Sequence, residues 1–159
     1  MKVSAGLLLF RKMAHGIEVL LAHPGGPFFK NKDDGAWTIP KGVAESDEDL
    51  LERARIEFEE ELGVKPPAGS AISIGAVRQK GGKTVHGWAL EGDLPEGFEI
   101  KSNTFDLEWP PRSGKMQSFP EVDRVQFFPP EEAARKINPA QKEFLDRLEQ
   151  LVRRSASDG

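Results

Sequence analysis

Four carboxylates stand in five consecutive positions at Glu57, Glu59, Glu60 and Glu61, just ahead of the Leu62-Gly63 pair that reads as a helix end. The last turn of a helix carries partial negative charge and favours cations. Acidic side chains three or four residues apart also repel one another. At about 100° per residue, Glu57, Glu60 and Glu61 fall within an arc of about 100°, while Glu59 points about 160° away from Glu57. Three oxygen donors on one side of a helix suit a divalent cation, because hard cations take carboxylate and phosphate oxygens together. The competing reading is a solvated acidic helix face.

The elements that must position these groups are legible around them. A helix is expected with Ser46 as N-cap and Asp49 completing a capping box. Leu50, Leu51, Ala54, Phe58 and Leu62 share its apolar face, Gly63 ends it, and Pro66-Pro67 forbid continuation. Lys2–Phe10 and Ile17–His23 read as strands joined at KMAHG, and Ala71–Gln79 and Thr84–Glu91 as strands joined at KGGK. A further strand is expected between Ile100 and Trp109 and a last one over Arg124–Phe128, with the stretch WPPRSGKMQSFPEVD between them as a long loop. PPEEAARKI and PAQKEFLDRLEQLVRR read as helices split at Pro139. Strands, a helix, more strands and final helices predict an α/β fold, a mixed sheet covered by helices on both faces.

Composition narrows the chemistry. The 159 residues suit one domain, taken as residues 1–153, with 154–159 as a disordered tail. A net charge of −4 argues against nucleic acid as a partner. The absence of cysteine excludes disulfides, thiolate metal sites and a Cys nucleophile, and fits a cytoplasmic location. The apolar N-terminal run is cut at once by Arg11-Lys12, and no stretch approaches a membrane span, so no membrane partner is expected. No G-x-S-x-G elbow and no Walker loop is present.

The stretch from Gly42 to Val64 closely resembles the signature of the Nudix hydrolases, G-x5-E-x7-R-E-U-x-E-E-x-G-U with U bulky and apolar. Gly42, Glu48, Glu57, Phe58, Glu60, Glu61, Gly63 and Val64 match it. The resemblance implies a Nudix-type α/β/α sandwich that holds Mg²⁺ or Mn²⁺ on Glu57, Glu60 and Glu61, with the Gly42 carbonyl as a further ligand. Glu48 would help order the helix and the metal waters. The implied reaction is attack of activated water on a phosphoanhydride of a nucleoside diphosphate linked to another group. Such chemistry asks for charge neutralisation and positioning more than for covalent help. One position departs from the signature: Ile56 stands where the family has Arg. Arg53 lies about 60° from that position and one turn before Glu57, so it is the expected substitute, ahead of Arg55.

Other residues offer themselves to a nucleotide. Lys41, in the lead-in WTIPKG that is similar to diadenosine tetraphosphate and diphosphoinositol-type members, could reach a phosphate or remain a loop lysine. Trp37 is expected to pack in the core. Arg78 and Lys80 share strand parity and could face a polyphosphate, whereas Lys83 reads as a hairpin-tip charge and His86 has no second His at ligand spacing. Arg112, Lys115 and Phe119 mix cation and aromatic ring in the long loop, as suits a base and phosphates. The family resemblance implies a carboxylate ahead of the last strand, as base or beside the metals; Glu121 is the choice for it, with Glu108 and Asp123 as competitors and a solvated surface Glu as the alternative. The Tyr common in diadenosine tetraphosphate hydrolases and the Pro of ADP-ribose enzymes are both missing from the KGG region. The expected function is hydrolysis of an NTP or a dinucleoside polyphosphate by a monomer or homodimer. The alternative, prompted by Ile56, is a catalytically weak module that binds nucleotides or a protein.

Overall fold

The computed structural model describes residues 2–158, with side chains described as far as residue 156. Strands β1 (Val3–Met13) and β2 (Gly16–Pro24) form an antiparallel hairpin at the centre of the sheet. Ser4 through Phe10 of β1 are all buried. Ala5, Leu7 and Leu9 enter one core and Leu8 and Phe10 the other. A strand covered on both faces needs apolar residues at every position, which is why GLLLF shows no polar alternation.

Short strand β3 (Lys41–Val43) runs antiparallel to the start of β1. Helix α1 (Leu50–Leu62) follows, then β4 (Ile72–Arg78) and β5 (Thr84–Glu91). β5 lies parallel to β1, and β4 is the edge beyond it. Strands β6 (Thr104–Glu108) and β7 (Met116–Pro120) form a separate ribbon. Strand β8 (Val122–Phe128) closes the main sheet against β2, giving the order β4-β5-β1-β2-β8 with β3 beside β1. Helices α2 (Pro130–Lys136) and α3 (Lys142–Asp158) end the chain, separated by a 3-10 turn over Pro139–Gln141.

One face of the sheet is covered by α1, whose Ala54, Phe58 and Leu62 are fully buried against Ala5, Leu7, Leu9, Leu20 and Leu90. The other face takes Phe144, Leu145 and Leu148 of α3 and Ala133 of α2, packed with Leu8, Val19, Leu21, Trp37 and Phe128. This is the expected α/β/α sandwich with a mixed sheet. Among the described residues no helix is long and apolar enough to cross a membrane.

Three local expectations change. The cap of α1 is Asp49, whose carboxylate accepts from the Glu52 N–H, and not Ser46. Residues 45–48 instead close a turn, with the Glu45 N–H bonded to the Glu48 carboxylate. The stretch expected as one long loop contains β7, because Phe119 stands directly opposite Phe105 and buries against it. Only residues 109–115 are left to turn the chain. The segment 154–158, expected as tail, continues α3 as helix, since no Pro or Gly interrupts it. Gly159 lies outside the described residues.

Candidate functional site

The N-terminal end of β1 is paired on one side with β3, so that Ala5 stands opposite Gly42. Helix α1 lies over these strands, and the side chain of Glu57 comes down onto the Gly42 backbone. A Cβ at Gly42 would overlap the Glu57 carboxyl and reach within 2.6 Å of its Cγ. Glycine is therefore required here by close approach rather than by backbone conformation.

Arg53 ties the helix start to this carboxylate. Its Nε and Nη2 donate to Glu48 at 2.7–3.0 Å, and its Nη1 donates to Glu57 Oε2 at 3.3 Å. The expected substitute for the missing family Arg thus contacts both acidic groups. Ile56 faces away, into a shallow groove with Arg55, Glu59, Lys65 and Pro66.

The electrostatics are strained toward negative charge. Burial raises the Glu57 carboxyl above its ordinary value, and sharing and repulsion with Glu60 push further, against the pull of Arg53. Burial drives Glu61 up to about 8, with Lys41 opposing and Glu57 and Glu121 reinforcing. Lys41 is pushed down, first by burial and then by Lys83, although Glu61 and Glu57 pull the other way. Desolvation outweighs the mutual attraction of Lys41 and Glu61 on both sides. The Lys41 N–H also donates to Glu61 Oε2 at 3.2 Å.

Among the described residues no three His, Asp or Glu side chains are already gathered around one point as ion ligands. The donor set nevertheless fits a hard divalent cation. Glu57, Glu60 and Glu61 crowd one helix flank, and the carboxyls of Glu57 and Glu61 hold their protons more tightly than free carboxyls do.

A cleft of about 310 Å³ opens beside this cluster. Lys41, Glu61 and Glu121 line its charged part, and Phe29, Thr38, Gln79 and Asn138 line the remainder. A larger depression, of about 920 Å³, lies on another part of the surface around His15, Pro129, Arg135 and Glu149. The smaller cleft is the better candidate because charged groups with displaced ionisation meet there.

Of the residues expected to touch substrate, Lys41 and Glu121 line the cleft, whereas Arg78, Lys80, Arg112, Lys115 and Phe119 do not. Arg112 and Lys115 are exposed where the β6–β7 ribbon turns, and Phe119 is spent on Phe105. Trp37 is core, 2% exposed, with its indole N–H on Asp33. Gln79 was hidden by its charged neighbours: Val77 faces the α3 side, so the next residue of that parity is Gln79 and not Arg78 or Lys80. Asn138 carried a signal of its own, an Asn before Pro between two helical stretches.

The sequence model of the NUDIX domain matches residues 1–148. Solved structures share the fold. The Ap4A hydrolase of C. elegans, in a binary complex, is 21% identical with a TM-score of 0.67, covering 94% of this chain and 97% of that one. The NUDIX domain of Shewanella oneidensis NrtR, complexed with ADP ribose, is 16% identical with a TM-score of 0.64, covering 94% and 87%. A mutT/nudix family protein of Listeria innocua is 16% identical with a TM-score of 0.64, covering 99% and 98%. A comparison with curated proteins gave no match.

Proposed function

The chain belongs to the Nudix family, and on that premise we propose that it hydrolyses a phosphoanhydride bond in a nucleoside diphosphate linked to a further group, an NTP or a dinucleoside polyphosphate. The observation that carries this reading is the carboxylate-rich flank of α1 beside the cleft, where Glu57 packs on the Gly42 backbone and Glu61 lines the wall with Lys41 and Glu121. Glu57, Glu60 and Glu61 would hold Mg²⁺ or Mn²⁺, with the Gly42 carbonyl. A bound ion of this kind supplies charge neutralisation on the phosphates and acidifies a water.

The protein's own groups have distinct parts. Lys41, drawn into the cleft wall beside Glu61, donates to a phosphate oxygen. A substrate phosphate favours the charged form of its amine, which burial disfavours. Glu121 accepts the proton of the attacking water; the new P–O bond forms as the bridging P–O bond breaks, and the departing phosphate carries away the electron pair. Arg53 fixes Glu57 and Glu48 so that the carboxylates are positioned before substrate arrives. The absence of the family Arg at Ile56 keeps a second reading open, a nucleotide-binding module with weak turnover.

The test is a panel of NTPs, dinucleoside polyphosphates and nucleotide sugars, with and without Mg²⁺, followed by phosphate and pyrophosphate release. Mg²⁺-dependent release from members of the panel supports the hydrolase. Nucleotide binding without release from any member would overturn it in favour of the binding module.

A further inference from the structure

The uncharged part of the cleft has a fixed hydrogen-bonding polarity. The chain of bonds starts at the Ile39 backbone N–H, which can only donate. It donates to Gln141 Oε1 at 3.0 Å. Gln141 is fully buried, so the identity of its two amide atoms is set: its oxygen accepts from Ile39 and its nitrogen must donate onward. Gln141 Nε2 donates to Gln79 Oε1 at 2.9 Å. With its Oε1 held by Gln141, Gln79 turns its amide nitrogen the other way, and it lines the cleft.

Among the described residues no buried side-chain nitrogen or oxygen lacks a partner. Among the described residues Gln79 Nε2 has no hydrogen-bond partner, and since Gln79 lines the cleft its amide hydrogens are available to a ligand there. Asn138 repeats the polarity at a second point of the wall. Its Oδ1 accepts from the Ala140 N–H at 2.9 Å, which fixes that end of the amide to the backbone and leaves the amide nitrogen as the free end. Phe29 adds an aromatic surface to the same wall. An amide held by a buried amide is preorganised, and a site built from such donors rejects a ligand that brings another donor.

We propose that Gln79, held by Gln141, is the specificity-determining residue of the cleft, and that it selects 6-oxopurine over 6-aminopurine nucleotides. The inference rests on the nucleotide-hydrolase reading above and adds the base. A 6-oxopurine presents two neighbouring acceptors, O6 and N7, on one edge, whereas adenine places an amino donor beside N7. Two donors in the wall match the first edge and leave the second with donor facing donor. Gln141 is a positioning residue: it touches no substrate and acts only by choosing which end of Gln79 faces the cleft.

The experiment compares inosine, guanosine, uridine, adenosine and cytidine triphosphates as substrates, and the matching monophosphates as ligands by calorimetry. It uses wild type, Gln79→Leu, Gln79→Glu and Gln141→Glu. Wild type is expected to favour inosine and guanosine over adenosine by about 10-fold or more, a difference that one good base contact supplies. Uridine shows whether a ring carbonyl alone suffices, and preference equal to inosine would overturn the two-acceptor purine edge.

Gln79→Leu should reduce the inosine-to-adenosine ratio by about 5–30-fold, mainly through KM, and Gln79→Glu should invert it. Gln141→Glu keeps an acceptor for Ile39 but removes the donor to Gln79, so it should also lower the ratio. A merely structural Gln141 would change stability and leave the ratio intact. Turnover without an oxopurine preference, or a ratio untouched by Gln79→Leu, overturns this inference and leaves the hydrolase reading standing. Absence of turnover overturns the hydrolase reading, and the monophosphate affinities then decide the base preference alone.

Discussion

Replacing Glu61 by Gln should stabilise the metal-free protein at high pH and do little at low pH. In the folded chain this carboxyl ionises at about 8, against an ordinary value of 4.5, chiefly because it is buried. Between those two pH values the folded state keeps a proton that the unfolded state has lost. Unfolding free energy therefore falls as pH rises through that window. At full ionisation the difference amounts to about 5 kcal/mol. Relaxation and water entry recover part of it, which leaves about 2–4 kcal/mol. Gln is neutral throughout and keeps an oxygen for the Lys41 N–H, now held at 3.2 Å from Glu61 Oε2. For a chain of this length the gain corresponds to roughly 5–15 °C in Tm. The assay is thermal unfolding in EDTA at pH 5 and pH 9. The variant should pull ahead of wild type only at pH 9, and Mg²⁺ should raise the Tm of wild type far more than that of the variant. An equal Tm difference at both pH values would refute the reasoning, because it would mean that Glu61 is not a buried charge.

Three further outcomes follow from neighbouring contacts. Arg53→Ala should lower metal-dependent turnover about 10–100-fold and Arg55→Ala far less, since only Arg53 reaches Glu48 and Glu57; steady-state rates on the two variants check this. Gly42→Ala should displace Glu57 and abolish most turnover while costing about 1–3 kcal/mol of stability, read by activity and denaturant titration together. Asp123→Leu should destabilise the fold by about 2–3 kcal/mol in urea titration, because fully buried His23 bonds Asp123 Oδ1 at 2.8 Å through Nδ1 and the Lys32 carbonyl at 2.7 Å through Nε2, and the substitution leaves the buried Nδ1 without a partner.

The legible parts of this molecule are those where a local pattern has one physical solution. Lys2–Phe10 was readable as a strand, and Ala54, Phe58 and Leu62 at helical spacing as a face turned to the core, although the burial of GLLLF on both faces emerged only with the sheet order. Arg53 was readable because its distance from Glu57 along a helix fixes the contact. The site wall was not readable in this way. Arg78 and Lys80 draw attention by charge, yet strand parity gives the cleft to the neutral Gln79, and that parity depends on which face α3 covers. The orientation of Gln79 depends on Gln141, 62 positions away, and on Ile39 beyond it. Phe119 looked like a base-stacking ring because β7 was hidden by Pro, Gly and charge; its partner Phe105 became evident only through the register of the ribbon. Asp49 displaced Ser46 as cap because the Glu45–Glu48 turn takes up the earlier residues.

The central claim is that the acidic flank of α1 exists to hold a divalent cation for phosphoanhydride hydrolysis. Its most direct test is the Mg²⁺ dependence of nucleoside polyphosphate hydrolysis by wild type and by Glu57→Gln, with product release measured across a Mg²⁺ titration. The account predicts saturable Mg²⁺ activation of wild type and a loss of at least about 100-fold in the variant, as expected when a ligand that stabilises the transition state is removed. Hydrolysis independent of Mg²⁺, or equal in the two proteins, would contradict it.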